Sequence, residues 1–179
     1  VGAGDKHRYL KMNKRSKPLT LTEAKIQAAI LLKSLKSSDS ARAAKRFKRL
    51  PEFRDLALSE ILQQRIQLKH ALAAIALENG FQSWVDLKIQ IHFIVGGYLN
   101  LWFANYEEAK SQLKSSGGFL LPYKKQFFIC DANYLKQIGF EPDDPDWKKI
   151  EYDWAQPADQ SAWRRLYKKW TLIIGGAHD

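Results

Sequence analysis

Cys130, His92 and Asp131 are the one set of residue types in this chain from which a cysteine nucleophile could be assembled. A thiol needs a base to raise its thiolate fraction, and the base needs an acid to orient it. The stretch FLLPYKKQFFIC ends on Cys130, a strand-end position suited to a nucleophile, and Tyr123 with Lys124, Lys125 and Gln126 would rim a pocket beside it. The structural reading competes with this one. Free cysteine is among the most buried residue types, and His92 stands between Ile91, Phe93 and Ile94 as a core-edge histidine does. Sequence supplies the residue types but not their meeting, so the structural reading is preferred.

Metal chemistry has less to build on. His70 follows Lys69, and His7 and His178 lie near the ends, so no histidine spacing matches a zinc site. The acids Glu141, Asp143, Asp144, Asp146, Glu151 and Asp153 lack the alternating ligands and glycine turn of a calcium loop. Some of them flank helix starts, where negative charge is favourable. The glycines come as bare pairs, Gly96–Gly97 and Gly117–Gly118, not as a phosphate-cradling loop. No metal and no cofactor is expected.

Charge carries the stronger functional signal. The net charge is +10 over 179 residues. Residues 1–60 hold 15 Lys and Arg against 6 Asp and Glu, whereas residues 61–179 hold 14 against 13. The positive field is therefore made by the first third of the chain, which favours an anionic partner there. The candidate polyanion-binding residues are Lys11, Lys14, Arg15 and Lys17 on a basic arm, and Arg42, Lys45, Arg46, Lys48 and Arg49 on a short helix. Long cationic side chains reach phosphates, and released counterions favour binding without any reading of bases. Nucleic acid is the preferred partner class. The alternative is a protein-interaction or regulatory module with an acidic protein partner, and a small-molecule site or enzyme near His92 and Cys130 ranks third. A solvated basic face with no partner is the bland reading, since no zinc finger or RNP aromatic pair accompanies the charge.

Composition agrees with a globular chain: 45% of residues are hydrophobic and 27% charged. The single cysteine, the polar N-terminal stretch and the broken apolar run Ile89–Phe103 lead to an expectation of a cytoplasmic, helical protein without a membrane span. Residues 1–18 read as a flexible basic arm and 19–175 as a single mainly helical domain, with 119–157 as a small α+β subregion. The fold class is mainly α: an irregular helical bundle with a small hairpin or short strand pair around residues 119–130.

Local signals place the elements. Thr20 and Glu23 form a capping box, with Ile26, Ala29, Ile30 and Leu32 as the expected inner face of the first helix, which should stop near Ser37. A basic helix covers Ser40–Leu50, with Ala43, Phe47 and Leu50 inward. A long third helix is expected from Leu58 or Ser59 to Glu78. After Gly96 and Gly97 a short helix is expected through Tyr98, Leu101 and Trp102. Asn105, Asp131 and Asp144 are caps for later helices, and Pro122 points to an edge strand. The last helix, about 158–173, carries Trp163, Leu166, Tyr167 and Trp170 on one side.

The segment LKHALAAIALENGFQSWVDLK joins two of these helices. Asn79 and Gly80 stop the first, Phe81 closes on its last turn, and Ser83 with Asp86 caps the next. This GF-x-SW hinge, on Gly80, Phe81, Ser83, Trp84 and Leu87, resembles a segment of several bacterial proteins, some with ankyrin-repeat or glyoxalase-like regions. Together with NYEEAKSQLKSSGGFLLPYKKQFFIC and the DPDW run from Asp144 to Trp147, it resembles a bacterial helical protein family over about residues 40–170. The resemblance implies a packing unit and brings no activity with it.

Overall fold

In the computed structural model, which describes residues 18–94 and 100–176, helices start directly after the expected caps Thr20, Ser83, Asn105 and Asp131. The chain divides into two compact units, one of residues 16–91 and one whose described residues begin at His92. The sequence pattern marks no boundary there.

Five helices make the first unit: α1 (Leu21–Ser34), α2 (Ser40–Phe47), α3 (Leu58–Gln63), α4 (Leu68–Glu78) and α5 (Trp84–Gln90). At α1 the Thr20 hydroxyl accepts from the Glu23 amide at 3.1 Å, and the Glu23 carboxylate accepts from the Thr20 amide at 2.8 Å. The inner face of α1 differs from the one expected. Ala24, Ala28 and Leu31 are buried, whereas Ile26 and Ile30 are 53% and 58% exposed. α1 packs along α4, whose own buried residues include Ala71, Ala74 and Ile75. Alanine on both sides lets two helices approach closely, a packing gain that a hydropathy pattern weighted toward isoleucine misses.

The expected long helix from residue 58 to 78 is two helices. Gln64 and Gln67 are extended, with ψ of 151° and 167°. His70 Nδ1 accepts from the Gln67 amide at 2.9 Å, standing where a glutamate usually does in a capping box. No glycine or proline marks this break, so composition gave no warning of it.

The hinge after α4 forms as its residues require. Gly80 has φ of 86°, its amide bonds the Leu77 carbonyl at 3.1 Å, and the Phe81 amide bonds the Ala76 carbonyl at 3.0 Å. These two bonds define a Schellman stop. The Ser83 hydroxyl then accepts from the Asp86 amide at 3.0 Å to start α5.

The second unit comprises β1 (Leu101–Phe103), α6 (Tyr106–Ser116), β2 (Phe119–Tyr123), β3 (Gln126–Cys130), α7 (Ala132–Gln137), α8 (Asp146–Lys149) and α9 (Gln160–Gly176). The three strands form one antiparallel sheet in the order β1-β3-β2. Leu101 and Trp102 are thus in a strand and not in the expected helix, because Trp102 and Leu101 pair with Phe128 and Ile129 of a distant segment. Tyr98 lies outside the described residues. Pro122 sits on β2 at the sheet edge, where its missing N–H costs no ladder bond.

The pleat separates two faces. Leu101, Leu120, Phe103, Phe127 and Ile129 pack with Ala109 and Leu113 of α6. Trp102 and Phe128 lie on the other face, with ring centroids 5.0 Å apart, and Phe128 meets Tyr134 of α7 at 6.0 Å. A second core gathers Phe93, Phe140, Trp147, Trp154 and Trp170, where Phe140 stacks on Trp170 at 5.2 Å and 10°.

Asp146 is buried and ties α8 to α9. Arg165 forks it, Nε to Oδ2 at 2.8 Å and a terminal nitrogen to Oδ1 at 2.7 Å, and Lys149 Nζ reaches Oδ1 at 2.9 Å. Arg165 first, and Lys149 after it, hold the Asp146 carboxyl well below the usual carboxylate range.

Two stability measurements check these elements. In urea denaturation, Gly80→Ala is expected to lose about 1 kcal/mol, the penalty of a Cβ in left-handed geometry; an unchanged midpoint would show that the stop relaxes freely. Asp146→Asn is expected to cost about 1–2 kcal/mol at neutral pH, a figure reduced because Arg165 is half exposed. The folded-state pKa of Asp146 is depressed, so its contribution is complete above about pH 4 and is lost as the pH falls below that. Below that range, wild type and variant should converge in stability.

Candidate functional site

α2 turns Ala43, Ala44 and Phe47 inward, and Leu50 and Phe53 after it are buried too. That orientation leaves Arg42, Lys45 and Arg49 exposed, with Arg46 and Lys48 half-buried. Arg46 forks Glu78 at the end of α4, Nε to Oε1 at 2.8 Å and a terminal nitrogen to Oε2 at 2.6 Å. Arg49 Nε lies 3.9 Å from the same carboxylate. The hydrogen bonds to Glu78 raise the Arg46 pKa against the opposing effect of burial. Arg46 is therefore a strut between two helices, and Arg49 sits at its margin.

Arg42, Lys45 and Lys48 make no ion pair among the described residues. Residues 18–91 carry twelve Lys and Arg against seven Asp and Glu, whereas residues 100–176 carry eleven against ten. In the second unit, several acids around α8 are engaged locally. Asp146 is held by Arg165 and Lys149, and Asp144 Oδ2 accepts from Lys169 Nζ at 2.5 Å. Lys11, Lys14, Arg15 and Lys17 lie outside the described residues.

The set around Cys130 has its members in different surroundings. His92 meets the Trp170 ring at 5.8 Å, edge to face. Tyr123 packs against Trp102 at 6.1 Å, near the hairpin turn. Cys130 pairs with Phe119 at the opposite end of the same hairpin, about 13 Å from Tyr123 by strand rise. Cys130 and Asp131 do share a shallow cavity of about 380 Å³, with Asn100, Ser116, Gly117 and Gly118, and His92 is not among its lining residues. Burial, and then the charge of Asp131, pushes the Cys130 thiol up. A neutral buried thiol holds little of the thiolate form that a nucleophile needs.

Asp131 acts locally, its Oδ1 accepting from the Tyr134 amide at 2.8 Å to cap α7. No group of His, Cys, Asp and Glu able to hold a metal ion occurs among the described residues. No described helix is long and apolar enough to cross a membrane.

No protein-family model, curated protein or solved structure matches this chain.

One polar constellation was not anticipated. Asp153 is fully buried and accepts from the Tyr106 hydroxyl at 2.7 Å, from Lys110 Nζ at 3.1 Å and from the Gln156 amide at 2.9 Å. Lys110 also reaches Glu151 at 3.1 Å. Burial would lower the Lys110 pKa, but its bonds to Asp153 and Glu151 raise it overall; Tyr106 is pushed up by burial and by Asp153. Both groups therefore keep their protons, and the set donates hydrogen bonds without offering a base. It fastens the segment after α8 to α6. That segment also bonds the outer edge of β2, Leu120 amide to Tyr152 carbonyl and Trp154 amide to Leu120 carbonyl, each at 2.9 Å.

The backbone there is strained. Glu151 and Tyr152 are consecutive non-glycine residues with φ of 56° and 58°. Such geometry costs on the order of 1–3 kcal/mol per residue and persists only where the surroundings impose it. The available signal was Asp153 itself, a lone acid between Tyr152 and Trp154, which cannot be buried without donors. Its partners stand 43 and 47 residues away and could not be named from the sequence.

Removing the carboxylate takes the acceptor from the Tyr106 hydroxyl and the Gln156 amide and leaves partly buried Lys110 with Glu151 alone, so Asp153→Ala should destabilise the protein by about 3–5 kcal/mol. Tyr106→Phe should cost only about 1.5–3 kcal/mol, one hydrogen bond to a charged group. Thermal and chemical denaturation of both variants check the ranking, and equal effects would contradict it.

Proposed function

We propose that the unit of residues 16–91 binds a polyanion, nucleic acid foremost, through the exposed side of α2. The observation that carries this reading is the contrast along α2 and Lys48, which caps its end. Arg46 is spent on Glu78, while Arg42, Lys45 and Lys48 stay without an acidic partner among the described residues. Unpaired cations on a rigid element cost nothing to desolvate from a previous partner, and they attract phosphates spaced along a backbone. No aromatic stacking platform accompanies them on α2, so the expected binding is sequence-tolerant and held by charge.

The test is retention of duplex DNA and mixed RNA at rising salt. Three phosphate contacts predict a fall in affinity of about 40-fold between 50 and 200 mM salt. The triple substitution R42A/K45A/K48A is expected to remove about 2.7 from the slope of log affinity against log salt while leaving the fold intact. Arg46→Ala, in contrast, should lower stability through the lost Glu78 fork. Unchanged retention by the triple variant would reject the surface. Retention of polyglutamate with none of either nucleic acid would reassign it to an acidic protein partner.

A further inference from the structure

A cleft of about 470 Å³ opens in the second unit where α6 ends, β2 begins and the strained turn after α8 closes the third side. Its apolar lining comes from Leu113, Phe119 and Tyr152, and its charged rim from Lys110, Lys114 and Lys148. The three lysines are not equivalent. Lys110 is held by Asp153 and Glu151, both at 3.1 Å, whereas Lys114 and Lys148 are exposed and make no ion pair among the described residues. Glu151, the acid on the same rim, is drawn to Lys110. The five ionisable groups here, Lys110, Lys114, Lys148, Glu151 and Asp153, sum to +1.

We infer that this cleft takes a small organic anion: a flat apolar body against Leu113, Phe119 and Tyr152, with a carboxylate or phosphate met by Lys114 and Lys148. Three features of the cleft favour that class. Its volume falls in the range of small-ligand sites, which are mainly apolar with a few placed polar groups. Its two available cations line the same cleft from different elements, α6 and α8, which suits one compact anionic group better than a row of phosphates along a backbone. The left-handed pair Glu151–Tyr152, φ 56° and 58°, fixes the Tyr152 wall through the Tyr152 amide bond to the Trp147 carbonyl at 2.8 Å. The backbone of that wall is thereby set before any ligand arrives, which lowers the ordering cost of binding.

Phenyl phosphate, inorganic phosphate and benzyl alcohol separate the contributions of body and charge. Titrated into the full chain and followed by amide chemical shifts, phenyl phosphate is expected to move Gly117, Gly118 and Tyr152, and to bind at least about tenfold more tightly than either other probe. The double substitution K114A/K148A, at two exposed positions, should weaken it about tenfold or more with the amide spectrum otherwise preserved. A single Phe119→Ala replacement should weaken phenyl phosphate while leaving inorganic phosphate unchanged. The inference is overturned if these amides do not respond up to about 10 mM probe, a concentration well above that expected for a ligand of this size. It is overturned equally if benzyl alcohol binds as well as phenyl phosphate, or if the double variant binds like the wild type.

Discussion

Two indole N–H groups hold the chain on either side of Phe140, and the second unit is arranged around that grip. Trp170 donates to the Ile138 carbonyl at 2.7 Å, and Trp147 donates to the Glu141 carbonyl at 3.0 Å. Phe140 is thereby fixed against Trp154 at 4.8 Å and Trp147 at 5.3 Å, and stacked on Trp170. Burying such a ring is worth about 1.5–3 kcal/mol, and each well-placed aromatic pair adds about 0.5–1.5 kcal/mol. Gly139 makes the arrangement feasible: with φ of 89°, a Cβ there would stand 3.2 Å from Ile174 Cγ2 and 3.4 Å from the Trp170 indole nitrogen. The same tryptophans bring α8 and α9 together, and the Asp146 fork then closes the outside of a contact whose inside is aromatic.

The two units handle charge differently. Among the described residues of the second, acids and bases nearly balance, and Asp144, Asp146 and Asp153 are each held by a cation of α6, α8 or α9. In the first, Glu78 is the acid that meets the basic helix, and it satisfies Arg46 before any other. Over the described residues, the surplus of positive charge lies on the α1–α5 unit. The second unit offers instead a recessed site where two lysines and an apolar wall converge.

Local chemistry was readable from the sequence, and distant chemistry was not. Thr20 with Glu23, Ser83 with Asp86, Asn105, Asp131 and Gly80 each act within four residues, and each occupies its expected place. The mainly helical class with a small strand region at 119–130 followed from the same signals. The inner face of α1 was misread because its contacts are made by alanines, whose contribution lies in close approach and not in hydropathy. The break before α4 depends on a histidine used as a cap, and β1 depends on a partner strand more than twenty residues onward. The Asp153 constellation and the cleft beside it needed tertiary structure, since their parts come from α6, the Gly117–Gly118 turn and the end of α8. The basic residues of α2 could be named from sequence, but the division between Arg46 as strut and Arg42, Lys45 and Lys48 as open cations could not.

The uneven placement of tryptophan has a practical consequence for anyone following this protein by its intrinsic fluorescence. Five of the six indoles, Trp102, Trp147, Trp154, Trp163 and Trp170, belong to the second unit, and only Trp84 reports on the first. An emission trace will therefore speak almost wholly for the aromatic half. Loss of the α1–α5 bundle would pass nearly unseen in it, and far-ultraviolet ellipticity is the signal that would register that event.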